Sequence, residues 1–156
     1  VLYLKQELIH LFLAQQFLIQ MIIRILFLLF AAISLNLSSK EISVSIANKK
    51  ISLQVADTHE LRARGLMGIR VLNEDEGMIF LWPDADQRCM WMKNTSIKLS
   101  IAFINSNQMI AEIRDLEPYS IDSVCSRNSD IISAIEMNRD WFVKNNIRVF
   151  SKVNIP

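Results

Sequence analysis

"WMKNTSIKLSIAFIN", residues 91–105, carries the reading on which the fold turns. Its second half, Leu99 to Asn105, is a short apolar run of strand length. It reads as one arm of a hairpin whose other arm is "MIAEIRDL" (109–116), joined through a polar turn. Its first half sets an indole, a thioether, a cation, an amide and a hydroxyl side by side. Such a segment is a strand entering a core and then a polar turn, or it is the lip of a site. The neighbouring strands decide which.

Working outward, "EISVSI" (41–46) and "ISLQVA" (51–56) alternate with period two around "ANKK", predicting a hairpin with a four-residue connection. Asp57 and Glu60 predict a capping box that opens a helix over "HELRARGLMG", with Gly68 as its stop. "GMIFLW" (77–82) reads as a buried strand closed by Pro83, with Gly77 permitting the turn into it. "RCMWM" (88–92) and "IISAIEM" (131–137) read as strands, and "YSIDSVCSRNSD" (119–130) as a loop. Asn138 is expected to cap a short helix, "RDWFVKN", before a last strand, "IRVF" (147–150). Many short strands and two short helices predict a mostly β domain, a sandwich or barrel.

The chain has 156 residues, of which 51% are hydrophobic, enough for one domain with a core. It holds 17 basic and 16 acidic residues. Lys5, Arg24 and Glu7 are the charges before residue 39, so residues 39–156 are electrically neutral. A neutral domain lacks the basic footprint of a nucleic-acid binder, and no nucleic-acid partner is expected. Residues 1–38 read as a leader. "MIIRILFLLFAAISLNLSS" has a basic residue, an apolar run and small polar residues in the order of a secretory signal. Met21 is the expected initiator, and cleavage is expected after Ser34 or Ser38. Left uncleaved, the span from Phe17 to Leu37 has about the ~20 residues an anchor needs. Lys5 and Arg24 precede the apolar run, so either reading places residues 39–156 outside the cytoplasm.

The chemistry is sparse. No G-x-S-x-G, H-E-x-x-H, C-x-x-C or phosphate loop occurs, and His59 is the one histidine beyond the leader. A serine triad would have to be built around it. Cys89 and Cys125 either pair in an oxidising compartment or remain separate thiols; spacing alone leaves both open. "CMWM" offers soft donors, but strand alternation sends Met90 and Met92 to one face and Cys89 and Trp91 to the other, which reads as packing. The acidic residues Glu74, Asp75 and Glu76 lack the order of a calcium loop. No metal or cofactor is expected.

The order "VADTHELRARGLMG", "DEGMIFLW", "WMKNTSIKLSIAFI" and "AIEMNRDWFVKNNIRV" resembles the bacterial and archaeal family called domain of unknown function 192. The resemblance implies a compact, mostly β domain of jelly-roll-like topology that often follows a signal peptide or membrane helix. It implies no established activity. Where the family has I-P-L-D, Ile97, Lys98, Leu99 and Ser100 stand here. The hairpin glycine is replaced at or near Asn107, and the family's G-I-K-V-G-D is here Asn146 to Ser151.

The candidate site is polar. Arg64 and Met67 lie on or after the early helix, Trp91, Lys93, Asn94 and Thr95 follow a strand, and Glu136 stands near the end of another. If they gather at one rim, they ring a concavity with apolar walls and few oriented polar groups, as a small-molecule site does. The bland alternative is a structural network in which Arg64 or Lys93 pairs with Glu136 while Asn94 and Thr95 satisfy backbone groups. Trp91 is expected to be buried. The functional expectation is an exported, non-enzymatic domain holding a small molecule or an envelope partner. The alternatives are an enzyme using Lys93 and Glu136 as acid–base groups, or a drifted copy that keeps only the fold.

Overall fold

The structure, a computed structural model, describes residues 12–27 and 40–156. The chain divides into two compact units, Val1–Ser38 and Ser39–Pro156. In the first, residues 12–27 are helical (α1). Among the described residues, no helix is long and apolar enough to cross a membrane. Most of the apolar run and both expected cleavage points, after Ser34 and Ser38, lie outside the described residues.

The second unit is mostly β. In chain order it runs β1 (Glu41–Ile46), β2 (Lys49–Ala56), α2 (His59–Arg64), β3 (Gly77–Asp86), β4 (Cys89–Met90), β5 (Leu99–Asn105), β6 (Ile110–Leu116), β7 (Val124–Cys125), β8 (Ile131–Asn138), α3 (Trp141–Lys144) and β9 (Val153–Asn154). Seven strands form one sheet in the order β6-β5-β8-β3-β2-β1-β9, while β4 and β7 form a separate ribbon. All pairings are antiparallel except β2 with β3. That one exception follows from α2, whose crossover returns the chain in the same direction. At one end the sheet curls onto itself. Met109 bridges Lys152, the Ile110 amide donates to Ser151 (3.0 Å), and the Phe150 amide donates to Ile110 (2.8 Å). The result is a curled half-barrel, which meets the mostly β expectation.

Both faces of the sheet are covered, so the central strands read as continuous apolar runs. Ala102 and Ile104 of β5, Ile79 of β3 and Ile135 and Met137 of β8 pack with Trp141 and Phe142 on one face. Leu99, Ile101 and Phe103, Met78 and Phe80, and Ala134 pack with Leu66, Met90 and Met92 on the other. The first face is closed by α3. Its Trp141 indole donates to Asp75 (2.8 Å), which also pairs with Lys49 (2.7 Å). Asp75 thus ties the acidic stretch 74–76 to α3. The hydrogen bond from Lys49, more than that from Trp141, holds its carboxyl below the usual range.

Several local expectations are corrected. The first hairpin turns on Ala47 and Asn48 alone, because Ile46 pairs directly with Lys49. Thr58, one residue beyond Asp57, caps α2 by accepting from the Leu61 amide (3.2 Å). Helix α2 stops at Arg64 because Gly65 takes φ 48 and ψ −135, well before Gly68. Strand β3 runs through Pro83, with a register irregularity after Leu81 that accommodates it. The strand expected over 88–92 keeps only Cys89–Met90, and the loop 119–130 supplies its partner, Val124–Cys125. Asp140, not Asn138, precedes α3. Residues 147–150 form no strand; the last strand is Val153–Asn154. Gly77 is required for space rather than for a turn, since a Cβ there would collide with the Glu136 carbonyl and the Met137 sulfur.

Positions where the resembled family carries glycine keep the backbone that glycine favours. Asn146 sits at φ 57, Phe150 at φ 69, and Gln108, next to Asn107, at φ 57. Asn tolerates this region, but an aromatic residue is strained there. Phe150 is 77% exposed, so its ring offsets little of that strain by packing. Phe150→Gly is therefore expected to raise stability by up to ~1 kcal/mol, the strain relieved being partly cancelled by the freer unfolded chain. Denaturant titration measures this, and a loss of stability would show that the ring is held by contacts.

Candidate functional site

Glu136 lies on β8 at the centre of the sheet, where a side chain meets neighbours on both sides. In register, Met78 of β3 flanks it on one side and Ile101 of β5 on the other. Its face is the one that packs Phe80, Leu66 and Met90. The residue is 3% exposed. Among the described residues no ion pair reaches its carboxyl, so neither Arg64 nor Lys93 is its charge partner, contrary to the network expected from the sequence. Desolvation alone acts on it and raises its pKa from an ordinary 4.5 to about 8. A carboxyl so placed is protonated at neutral pH, because ionising it would leave a buried charge uncompensated.

The carboxyl borders a chamber of about 10 Å³, roughly the volume one water molecule needs. Two segments roof it. The first is the end of α2 and the loop after it. Gly65 lies close to the Phe80 ring there, at 3.5 Å from the position its Cβ would take. Leu66 is buried, and Met67 and Arg64 stand at the border. The second is the stretch from Met90 to Thr95. The two are stitched together by the Gly68 amide, which donates to the Asn94 carbonyl (3.0 Å), with Asn94 at φ 56. Thr95 is buried; its amide donates to Met92 (3.0 Å), its hydroxyl to the Lys93 carbonyl (3.3 Å), and its carbonyl accepts from Tyr119 (3.0 Å).

Five of the seven residues expected at the site, Arg64, Met67, Trp91, Thr95 and Glu136, therefore border one chamber. Lys93 and Asn94 do not. Lys93 is exposed, with its ammonium 5.4 Å from the centre of the Trp91 ring, and Asn94 serves through its backbone. Trp91 corrects the burial expected of it. Met90 and Met92 point inward as the alternation predicts, but the outer face is covered only by Lys93 among the described residues, and Trp91 is 44% exposed.

Beside the chamber, and sharing Arg62, Ala63, Met90 and Trp91 with it, is an open cleft of about 280 Å³ that also touches His59, Trp82 and Ser123. Arg62 donates from one guanidinium nitrogen to the carbonyls of Asp57 (2.7 Å) and Leu81 (2.8 Å) beside Trp82. Arg64 is exposed and has no partner among the described residues. Trp82 escaped the sequence reading, and His59 was considered only for a serine triad. The outer wall is pinned by a disulfide between Cys89 and Cys125, which face each other across β4 and β7. Among the described residues no group of three histidine, cysteine, aspartate or glutamate side chains is placed to hold a metal.

The family model for domain of unknown function 192, described as "Uncharacterized ACR", matches residues 42–155. The chain belongs to that family. No curated protein is significantly similar to it. Two solved structures share the fold. One, from Sinorhizobium meliloti 1021 and provisionally described as a transcription regulator, is 24% identical with a TM-score of 0.72, over 76% of this chain and 96% of that one. The other, a protein of unknown function from Novosphingobium aromaticivorans DSM 12444, is 25% identical with a TM-score of 0.71, over 78% and 89% respectively.

The buried carboxyl makes a pH prediction. The folded state holds the Glu136 proton up to about pH 8, whereas the unfolded chain releases it near 4.5. Between these values the folded state binds more protons, so stability falls as pH rises, by on the order of 1 kcal/mol per pH unit. Glu136→Gln removes this dependence. Unfolding titrations from pH 5 to pH 8 should show a shallower decline for the variant, and parallel curves would mean that Glu136 is ionised in the fold.

Proposed function

We propose that residues 39–156 form a non-enzymatic binding domain that works outside the cytoplasm and takes a small ligand at the Glu136 chamber. The observation behind this reading is the buried carboxyl itself. A polar group with no partner costs stability wherever it is buried. Met78 and Ile101 on either side show that an apolar residue would suit the position better for folding alone. A protonated carboxyl that both donates and accepts is suited to orienting a ligand at the floor of an apolar site. The roof above it is the end of α2 with the loop after it and the stretch from Met90 to Thr95, joined through the Gly68–Asn94 hydrogen bond, and the chamber can admit a ligand group by their separation.

Export is supported by the basic residues ahead of the apolar leader and by the Cys89–Cys125 disulfide, a bond that persists in oxidising compartments. If the leader stays uncleaved, it tethers the domain to the membrane. An acid–base enzyme is the second reading. It is favoured by one observation, a carboxyl whose proton exchanges near neutrality. Lys93 does not belong to that reading, since it lies over Trp91 outside the chamber.

Expression of the full chain in a bacterial host, fractionation, and native mass spectrometry of the recovered protein test the proposal. The expected result is protein outside the cytoplasm, carrying an added mass that Glu136→Leu loses while staying folded. A cytoplasmic protein contradicts the location. Identical spectra for wild type and variant contradict the site.

A further inference from the structure

Besides Glu136, the charged side chains that line the chamber and the cleft are Arg62 and Arg64 of α2; Glu60 of the same helix lines neither, and Lys93 lies outside them over Trp91. The strands that flank Glu136 present Met78 and Phe80 of β3 and Leu99, Ile101 and Phe103 of β5 on its face, none of them charged. Among the described residues, no second acidic side chain borders the chamber or the adjoining cleft. Of the two arginines, Arg62 is anchored through one guanidinium nitrogen to backbone carbonyls, whereas Arg64 at the chamber's border makes no side-chain hydrogen bond or ion pair among the described residues. The chamber has room for about one oxygen atom, and the cleft of about 280 Å³ beside it is flanked by the exposed Trp91 and by Trp82.

We infer that the site takes a small organic anion, a carboxylate on a flat ring, with Glu136 donating a hydrogen bond to one ligand oxygen and Arg64 pairing with its charge. The inference rests on the binding reading above and names the ligand class for it. A carboxylate meeting a protonated carboxyl makes a short, charge-assisted hydrogen bond, and the guanidinium holds the remaining oxygen. The ring lies in the cleft against Trp91. A cationic ligand would instead meet Arg62 and Arg64 with no ionised carboxylate lining the chamber or the cleft among the described residues. Burial already holds the Glu136 proton to about pH 8, and a bound anion beside it would hold that proton more tightly still. Binding is therefore coupled to protonation: ionised Glu136 repels the ligand.

Four probes that share one ring test this: benzoate, benzamide, benzyl alcohol and benzylammonium. Each is titrated into the isotope-labelled protein, following the amide resonances of Met90, Trp91 and Thr95 and the Trp91 indole. Benzoate should bind at least ~10-fold more tightly than the others at pH 6, and Arg64→Gln should weaken it by a similar factor. From pH 6 to pH 9 its affinity for wild type should fall at least ~10-fold. Glu136→Gln keeps a donor that does not titrate, so its affinity should stay level. If the neutral or cationic probes bind these residues as well as benzoate, the anion is overturned and the binding site stands. If the pH dependence survives in Glu136→Gln, the role of Glu136 is overturned. If no probe moves these resonances, both the anion and the site fall together.

Discussion

A carboxyl in the middle of a sheet, with no charge partner among the described residues, is the constraint around which this domain is arranged. Strand β8 lies between β3 and β5 with apolar residues on both faces, so the Glu136 side chain is 3% exposed and opens only onto the water-sized chamber. Three outcomes are open to such a group: an ion pair, a proton, or a ligand. The arginines that stand nearest are committed elsewhere or turned to solvent, and the proton is what remains in the free protein. The cost of keeping a polar group there is borne by two well-packed faces, one closed by Trp141 and Phe142, the other by Leu66, Met90 and Met92.

The roof of the chamber explains why two separated motifs behave as one. "RGLMG" turns sharply at Gly65, which lets the chain pass close over the Phe80 ring. "WMKNT" is held to it through the Asn94 carbonyl and to residue 119 through the Thr95 carbonyl. These bonds are backbone bonds, so side chains such as Lys93 are left outside. Ser100, where the resembled family has a carboxylate, donates to Asp115 (2.8 Å) and accepts from the Asp140 amide (3.2 Å). That position ties β5, β6 and the approach to α3 together, away from the chamber.

Much of the fold was legible because alternation is local. Strands β1, β2, β5, β6 and β8 each announce themselves by period or by an apolar run bounded by polar turns. What escaped depends on contacts that period does not carry. The last strand is only Val153–Asn154, and it exists because β1 and the β5–β6 turn offer backbone partners to it. The inward and outward faces of residues 89–92 were readable, but whether anything covers the outward face was not, and Trp91 lies partly in solvent as a result. The pairing of Cys89 with Cys125 likewise follows from β4 meeting β7. Glu136 could be singled out as a carboxyl in an apolar strand. Its neighbours in register, Met78 and Ile101, could not, so a salt bridge was expected where the fold supplies hydrocarbon.

The protonation state of Glu136 is the point on which the account stands, and it can be observed at a single atom. Selective carbon-13 labelling of glutamate side chains, with Glu136 assigned by its loss in Glu136→Gln, gives the carboxyl resonance as a function of pH. The account requires a midpoint near 8, far above the ordinary 4.5. A midpoint in the ordinary carboxylate range would show that the group is ionised at neutrality and paired, and the chamber would then be a structural feature rather than a site.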